Sequence, residues 1–388
     1  MRALAPLAML AAACGGPPAA DLVTIDTLPG GIVRVMNHGP SEWADTNGWH
    51  LVLERTIQPG EGEPGELGRP GAMALHPNGD LVVRDDQPTV LRRYWATGDS
   101  ITLIGREGDG PGEYRDPLPA FVGDTLVTHD QRLARGTIYD ENGQPVRSFE
   151  TVCCSGYFTL PVVADQRIMV RSSYRTPDDP FVQQYVGFTL GGERTDSVPV
   201  VDMSRWSWTI TKTSPGGGVS RSTWGIPFSG AASPILGRSG DQFFGAGTEN
   251  RILVSRTGRD TVRIFGRDDV AAVPLPAGFA DSLYESLVDR NADLPGSSSR
   301  SDIPDHYPFW SSIEEDGRGN VWLLSDSAYA SPRVFDVYRP TGELRGRVTS
   351  PSTSRYPRFA WAGDRVAVLD TDADDLPRIR IYRIEREP

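Results

Sequence analysis

The most constraining feature of this chain is a hairpin pattern that recurs along its 388 residues. In each copy an alternating apolar run leads into a short turn that contains glycine, and a second apolar run follows. Such a pattern predicts two antiparallel β-strands joined by a tight turn. Five copies turn at Gly98, Gly143, Gly192, Gly258 and Gly342. The chain should therefore fold into repeated small β-sheets, which places it in the all-β class.

A second pattern precedes each hairpin: a proline leads into two short apolar runs that a polar turn separates. Six such pairs turn at Gly79, Gly123, Ala164, Gly240, Gly319 and Gly363. Residues 378–387 follow the sixth pair without a partner, and an unpaired run at residues 49–57 precedes the first. Pairing these two runs completes the last sheet and removes its exposed edges. The sequence thus predicts a six-bladed β-propeller with four antiparallel strands per blade, the last blade closed by an N-terminal strand.

The spacing of the turns locates two insertions. A four-stranded blade takes about 40–45 residues, and the intervals on either side of Gly240 are much longer than that. We expect one insertion at about residues 204–232, which reads as an extra hairpin. A second is expected at about residues 276–307, with a short helix in GFADSLYESLVDR. A seventh blade hidden in one interval is the alternative. If both long intervals hold insertions, residues 22–388 form one six-bladed propeller domain.

The N-terminus has the features of an export signal. Arg2 supplies a positive charge, and residues 3–13 (ALAPLAMLAAA) are apolar but too few to span a bilayer. Cys14 follows directly, and the segment resembles a bacterial lipoprotein signal in which the cysteine becomes the lipidated first residue. We expect residues 1–14 to be this signal and residues 15–21 a flexible tether. The protein would then be lipid-anchored in the bacterial envelope, facing the periplasm or the exterior, with ordinary secretion as the alternative.

Cys153 and Cys154 are adjacent in the sequence. An oxidising compartment permits a vicinal disulfide between them. Two free or partly buried thiols are the alternative. A zinc site is not expected at this pair, because no other ligands follow at zinc spacing.

The glycine-rich stretch 105–117 (GREGDGPGEYRDP) invites comparison with a phosphate-binding loop. Such a loop needs a helix after its glycines, whereas prolines and a predicted strand follow here. A related stretch lies upstream, where residues 64–67 (PGEL) match residues 111–114 (PGEY). We interpret both as connectors between blades.

Several segments together resemble a group of bacterial exported six-bladed β-propellers related to NHL-repeat and TolB-like proteins. They are GGIVRVMN at residues 30–37, the connector GREGDGPGEY, the glycine-turn pair EEDGRGNVWLL and the insertion before YPFW. The resemblance implies an exported or lipid-anchored propeller, but no reaction common to the group. Some related propellers are lactonases that hold a divalent cation on the axis, and others are lyases with a zinc centre.

Acidic residues at the ends of the second strands give an enzymatic alternative. Asp85, Asp130, Asp326 and Asp370 each follow a predicted second strand, near the mouth of the channel. Carboxylates there could bind calcium, although such residues more often cap strand ends. The alternative function is accordingly a metal-dependent hydrolase or lyase, with Ca²⁺ or Zn²⁺, acting at the channel mouth.

Aromatic residues in the insertions support a binding function. Trp206, Trp208 and Trp224 lie in the first insertion, and Tyr307 and Trp310 follow the second. Exposed rings on one face would anchor a ligand or partner; the alternative is that they pack the insertions onto the blades. The leading hypothesis is a non-catalytic binding or scaffold protein without a cofactor. Its partner would be an envelope protein, a peptide or a carbohydrate. We expect a monomer that meets the membrane only through its anchor, and the net charge of −12 argues against nucleic acid.

Overall fold

The computed structural model describes most of the chain. The described residues are 22–39, 41–43, 48–98, 100–153, 162–164, 166–174, 182–214, 216–217, 219–291, 294, 296–326, 332–354 and 357–386, without the side chains of residues 213, 219 and 221. Within them the protein is a six-bladed β-propeller, as the sequence predicts. Cys14 and the rest of the predicted signal and tether lie outside the described residues.

Three strands precede the first complete blade: β1 (Val23–Leu28), β2 (Ile32–Asn37) and β3 (His50–Ile57). The strands of blade 1 are β4 (Pro70–Leu75), β5 (Leu81–Asp86), β6 (Thr89–Tyr94) and β7 (Ile101–Ile104). A two-residue parallel pair follows, formed by β8 (Arg106–Glu107) and β9 (Glu113–Tyr114). Blade 2 contains β10 (Pro117–Val122), β11 (Thr125–Asp130), β12 (Arg135–Tyr139) and β13 (Pro145–Glu150). Blade 3 contains β14 (Val162–Ala164), β15 (Arg167–Tyr174), β16 (Val182–Phe188) and β17 (Arg194–Pro199).

An extra hairpin, β18 (Ser207–Thr213) and β19 (Val219–Gly225), lies before blade 4. That blade contains β20 (Ile235–Leu236), β21 (Gln242–Phe244), β22 (Arg251–Ser255) and β23 (Arg263–Arg267). Helix α1 (Phe279–Arg290) precedes blade 5, which contains β24 (Trp310–Glu315), β25 (Val321–Ser325), β26 (Val334–Tyr338) and β27 (Leu344–Thr349). The last three strands, β28 (Arg358–Ala362), β29 (Arg365–Thr371) and β30 (Pro377–Glu385), form blade 6 with β3. Short 3₁₀ turns lie at Ser204–Trp206, Gly247–Glu249 and Arg300–Asp302.

Blade 6 is closed by the two ends of the chain. Strand β3 pairs antiparallel with β30, from His50 opposite Glu385 to Ile57 opposite Ile379. The predicted pairing of the orphan N-terminal run with the last strand is therefore confirmed. Because the first and last blades are adjacent in the ring, the hydrogen bonds between β3 and β30 close the ring within one sheet.

Blade 4 is larger than the predicted four strands. The N-terminal hairpin of β1 and β2 extends it to six, since β2 pairs in parallel with the outer strand β23. Asn37, at the end of β2, is buried and ties this extension to the next blade. Its amide nitrogen donates to the carbonyl oxygens of Gly266 and Gly342, and its oxygen accepts from the backbone N–H of Leu344. Strands β1 and β2 thus belong to the folded body.

The core lies between neighbouring blades, where both faces of each sheet are covered. The second strands are accordingly apolar on both faces, and all five residues of β25 are buried. Trp322 shows how the blades meet. Its ring lies 5.4 Å from that of Phe335 in the same blade and 4.8 Å from that of Trp361 in blade 6. Such packing fixes each blade against the next and so fixes the strands around the axis.

The two matching glycine-rich stretches connect blades. A glutamate side chain closes the stretch at residues 105–117. The Glu113 carboxylate accepts from the backbone N–H of Gly110 at 2.7 Å and from the Arg106 side chain. Tyr114 is buried against blades 1 and 2. An acidic side chain therefore occupies the position where a phosphate-binding loop would hold its anion.

The two insertions pack together. Trp208 of the extra hairpin and Ala280 of helix α1 share one small apolar cluster with Ile303. No described helix is long and apolar enough to cross a membrane.

Candidate functional site

The inner strands of all six blades line a central channel that encloses a cavity of about 250 Å³. The ring has two faces. We call the face that carries the connections between blades, and hence both insertions, the insertion face. The face that carries the turns between the first and second strands is the turn face. Most of the cavity wall is apolar, with side chains such as Met73, Phe121, Val163, Ile235 and Phe359.

Polar side chains line the cavity near the turn face: Arg238 from blade 4 and the consecutive Glu314 and Glu315 from blade 5. The two glutamates end strand β24 just before the turn at residues 316–320. Asp316 fixes that turn, since its side chain accepts from the backbone N–H groups of Arg318 and Asn320. The local sequence therefore holds both glutamates at the last two positions of the strand.

Glu314 and Glu315 point to different neighbours because successive strand residues face opposite sides of a sheet. Glu314 accepts from the indole Nε1–H of Trp361, in blade 6, at 3.3 Å. Glu315 accepts from the backbone N–H of Arg238, in blade 4, at 2.9 Å. The two carboxyl groups are therefore held by the two blades on either side of blade 5.

The surroundings of these two carboxyl groups change their proton affinity. Burial raises the pKa of Glu314 to about 8, against the lowering effect of the Trp361 hydrogen bond. Burial likewise raises the pKa of Glu315 to about 7, while the backbone N–H and the charge of Arg238 lower it. Near neutral pH Glu314 is mainly a neutral carboxylic acid that can donate a hydrogen bond into the cavity.

The channel continues into a groove on the turn face. This groove has a volume of about 540 Å³ between blades 4 and 5, and Arg238 and Glu315 line both spaces. Arg263 and Arg318 also line it. The polar end of the channel is thus reached from the turn face, away from the insertions.

The aspartates predicted as possible metal ligands hold the backbone. Asp85 accepts from the backbone N–H groups of Gly68, Arg69 and Gln87, and it pairs with Arg92. Its carboxylate is therefore already saturated by donors, and it caps the end of its strand.

The carboxylates of Asp130 and Asp370 also have donors within the protein. Asp130 accepts from four backbone N–H groups, those of Arg115, Asp116, Arg132 and Leu133. Asp370 pairs with Arg378 and Arg380. Asp326 follows β25, and its backbone N–H donates to Phe309. In the described part of the chain no three His, Cys, Asp or Glu side chains gather in a way that could hold a metal.

Three of the aromatic residues predicted as exposed anchors are buried, which corrects that interpretation. The indole of Trp206 donates to Glu249, that of Trp208 donates to Asp302, and Trp310 is enclosed between blades. The Trp206 ring packs against blade 4, the Trp208 ring lies between the two insertions, and the Trp310 ring lies between blades 4 and 5. These three residues follow the packing alternative.

The other two predicted anchors, Trp224 and Tyr307, are less buried than these three. Trp224 is 39% exposed on the extra hairpin. Tyr307 is partly buried and packs edge-on against Phe228, with ring centroids 5.6 Å apart. Trp224 is therefore the member of the set that a partner could reach.

Cys153 forms a disulfide bond. Cys154, with which the sequence suggests a vicinal pairing, lies outside the described residues, as does Cys14. The proposed vicinal ring thus stays a prediction.

Sequence reasoning missed Glu314 and Glu315, although a signal was available. When the six inner strands are aligned on the turns that follow them, the position of Glu315 corresponds to Leu75 in blade 1 and Leu236 in blade 4. Acidic residues in one blade where the others carry apolar ones mark a departure from the repeat that packing does not require.

No protein-family model matches the chain, and no curated protein matches it. Solved structures resemble it in fold. A member of the DUF4221 family from Bacteroides vulgatus is 12% identical, with 88% of this chain and 100% of that chain covered and a TM-score of 0.43. A protein from Bacteroides fragilis assigned as exported is 13% identical, with 88% and 98% covered and a TM-score of 0.44. The PQQ-bound aldose sugar dehydrogenase of Streptomyces coelicolor is 14% identical, with 88% and 100% covered and a TM-score of 0.43. All three TM-scores are below 0.5, and nothing about activity follows from these similarities.

Proposed function

We propose that this protein is a non-catalytic β-propeller of the bacterial envelope that binds a small molecule in its central channel. The observation that carries the proposal is the cavity itself. It is a mainly apolar space of about 250 Å³ with polar side chains gathered at one end. Binding sites for small molecules typically combine an apolar wall with a few placed polar groups.

The arrangement of the polar groups favours binding over catalysis. Reactions that use two carboxyl groups need both of them directed at one substrate, and Glu314 and Glu315 are held by different blades. The envelope location rests on the N-terminal sequence, with Arg2, the apolar run at residues 3–13 and Cys14. A polar channel end on the turn face leaves the insertion face free for a separate contact.

The test is a ligand screen against variants that fill the channel. Val163→Phe places a ring in the cavity wall, and Val146→Phe makes the same change on an outer strand where the side chain is 67% exposed. Thermal unfolding of the full chain is followed with a panel of amino acids, sugars, organic amines and carboxylic acids. A ligand at about 100 times its Kd stabilises the folded state by about 2.7 kcal/mol.

We expect at least one compound to raise the Tm of the wild type and of Val146→Phe but not that of Val163→Phe. Compounds that stabilise all three proteins equally bind elsewhere and would contradict the proposal. Ile235→Phe, on the opposite wall, provides a second channel variant should Val163→Phe fold poorly.

A further inference from the structure

We infer that the ligand of the channel is an organic ammonium ion, whose cationic nitrogen binds between the Glu314 carboxylate and the aromatic rings of Trp361 and Phe359. This inference rests on the proposed function and specifies the chemistry of its ligand. It follows from three features of the cavity: an under-satisfied carboxyl group, aromatic rings beside it, and the size of the space.

Glu314 differs from the other deeply placed carboxylates in its number of partners. Two residues further on, Asp316 accepts from two backbone N–H groups, from the Asn320 amide and from the Trp322 indole. Asp370 pairs with two arginines. Glu314 has the Trp361 indole as its hydrogen-bond donor, at 3.3 Å. Its ionised form is therefore short of donors, which is costly in an apolar surrounding.

The positively charged side chain that lines the same cavity, Arg238, is bonded to groups other than the Glu314 carboxylate. Its backbone N–H holds Glu315, and its guanidinium donates to the carbonyl oxygen of Trp361 at 3.3 Å. A ligand that brings a positive charge into the cavity would supply Glu314 with an ionic partner, which no described residue provides. The attraction between the two charges is stronger in the partly enclosed channel than in bulk water.

Aromatic rings beside Glu314 suit the same ligand. Trp361 and Phe359 lie on one inner strand with ring centroids 6.0 Å apart, and Phe121 lines the cavity from blade 2. The faces of aromatic rings attract cations, and tryptophan does so best. The Trp361 ring is fixed by its contact with Trp322 and by its bond to Glu314. The position of the cation is therefore prepared in the folded protein.

The size and polarity of the cavity select an organic cation over a metal ion. A cavity of about 150 Å³ holds a benzene ring, so about 250 Å³ admits an ammonium group with an apolar substituent. An inorganic cation would need several oxygen ligands, whereas among the side chains that line this cavity only Glu314 and Glu315 carry oxygen atoms. A ligand contacts both the apolar side chains and the carboxyl group only if it carries an apolar substituent and a cationic group.

The test compares a cation with a neutral molecule of the same shape. The probes are (2-hydroxyethyl)trimethylammonium and 3,3-dimethylbutan-1-ol, neither of which titrates near pH 8, and their binding is measured by calorimetry at pH 8 on the full-length protein. We expect the wild type to bind the cation at least about tenfold more tightly than the neutral probe. Glu314→Gln should lower this ratio by at least about threefold, because the aromatic rings still favour a cation, while leaving the neutral probe's affinity nearly unchanged. Glu285→Gln, on the exposed side of helix α1, is the matched control and should keep the wild-type ratio.

The outcomes separate the two proposals. Equal binding of both probes to the wild type, lost in Val163→Phe, would overturn the ammonium inference and support binding in the channel. A preference for the cation that is equally strong in Glu314→Gln would also overturn the inference, as would failure of the cation to bind the wild type. Binding of both probes that Val163→Phe leaves unchanged would overturn the inference and contradict channel binding as well.

Discussion

Replacement of Glu314 by glutamine should make the protein more stable at alkaline pH and leave it unchanged at acidic pH. Glutamine keeps the shape of the side chain and an oxygen that accepts from the Trp361 indole, but it cannot ionise. The folded protein raises the pKa of Glu314 from the ordinary 4.5 to about 8. The folded state therefore holds this proton more tightly than the unfolded state, and the wild type loses stability as the pH rises from about 4.5 to about 8.

The magnitude follows from the pKa. One pKa unit is worth about 1.4 kcal/mol. A rise from 4.5 to about 8 therefore corresponds to about 5 kcal/mol of folding free energy before any screening by solvent is taken into account. Water reaches the side chain through the channel and screens its charge, so we expect about 2–3 kcal/mol. The variant should match the wild type near pH 4.5 and exceed it by that amount at pH 8.5.

Urea unfolding at pH values from 4.5 to 8.5, followed by tryptophan fluorescence, measures this difference. Comparison at each pH cancels the titration of every group that the two proteins share. Glu285→Gln is the control and should show no pH-dependent difference from the wild type. A difference that stays constant over the range, or a variant that becomes less stable than the wild type as the pH rises, would refute the reasoning.

Three other predictions concern the fold. Gly62 and Gly112 both have φ of +76°, but a Cβ at Gly112 would lie 2.3 Å from Pro145 whereas Gly62 is open. In urea unfolding we expect Gly62→Ala to cost about 1 kcal/mol and Gly112→Ala about 1–3 kcal/mol more; equal costs would contradict this. Asn37→Ala removes three buried hydrogen bonds and should cost about 2–4 kcal/mol, with faster amide exchange in β2. An unchanged urea midpoint would contradict the role of Asn37 as a tie between blades. Burial lowers the pKa of His129 to about 4, so the wild type should lose stability as the pH falls from 6.5 to 4. The Tm of His129→Gln should fall less steeply over that range, and an equal slope would speak against this origin.

The architecture was predictable because it is repeated. Each turn glycine adds one copy of the same local signal, and several of them, such as Gly79 and Gly319, have the positive φ that such turns require. The closing strand was predictable because an unpaired run at each end leaves one possible partner. The β1–β2 extension was not, because β2 pairs in parallel with a strand more than two hundred residues away. No local periodicity encodes such a pairing.

The channel chemistry was harder to predict than the fold for a related reason. Exposed aromatic residues and acidic strand ends are common signals, and Trp208 and Asp85 show that packing and capping account for them here. Glu314 matters because of what surrounds it, and its partner Trp361 comes from another blade. A sequence displays the carboxyl group but not the neighbours that determine its charge.

The strands contributed by the N-terminal segment also constrain the order in which the protein folds. Residues 22–57 are synthesised before any blade, yet β2 needs β23 and β3 needs β30, the last strand of all. Strand β2 must therefore wait for blade 4, and β3 must wait for the last strand. Contacts of such long range slow folding and leave unpaired strand edges exposed meanwhile. The Trp361–Glu314 bond also needs blade 6, so the channel acquires its polar end in the same late step that seals the ring.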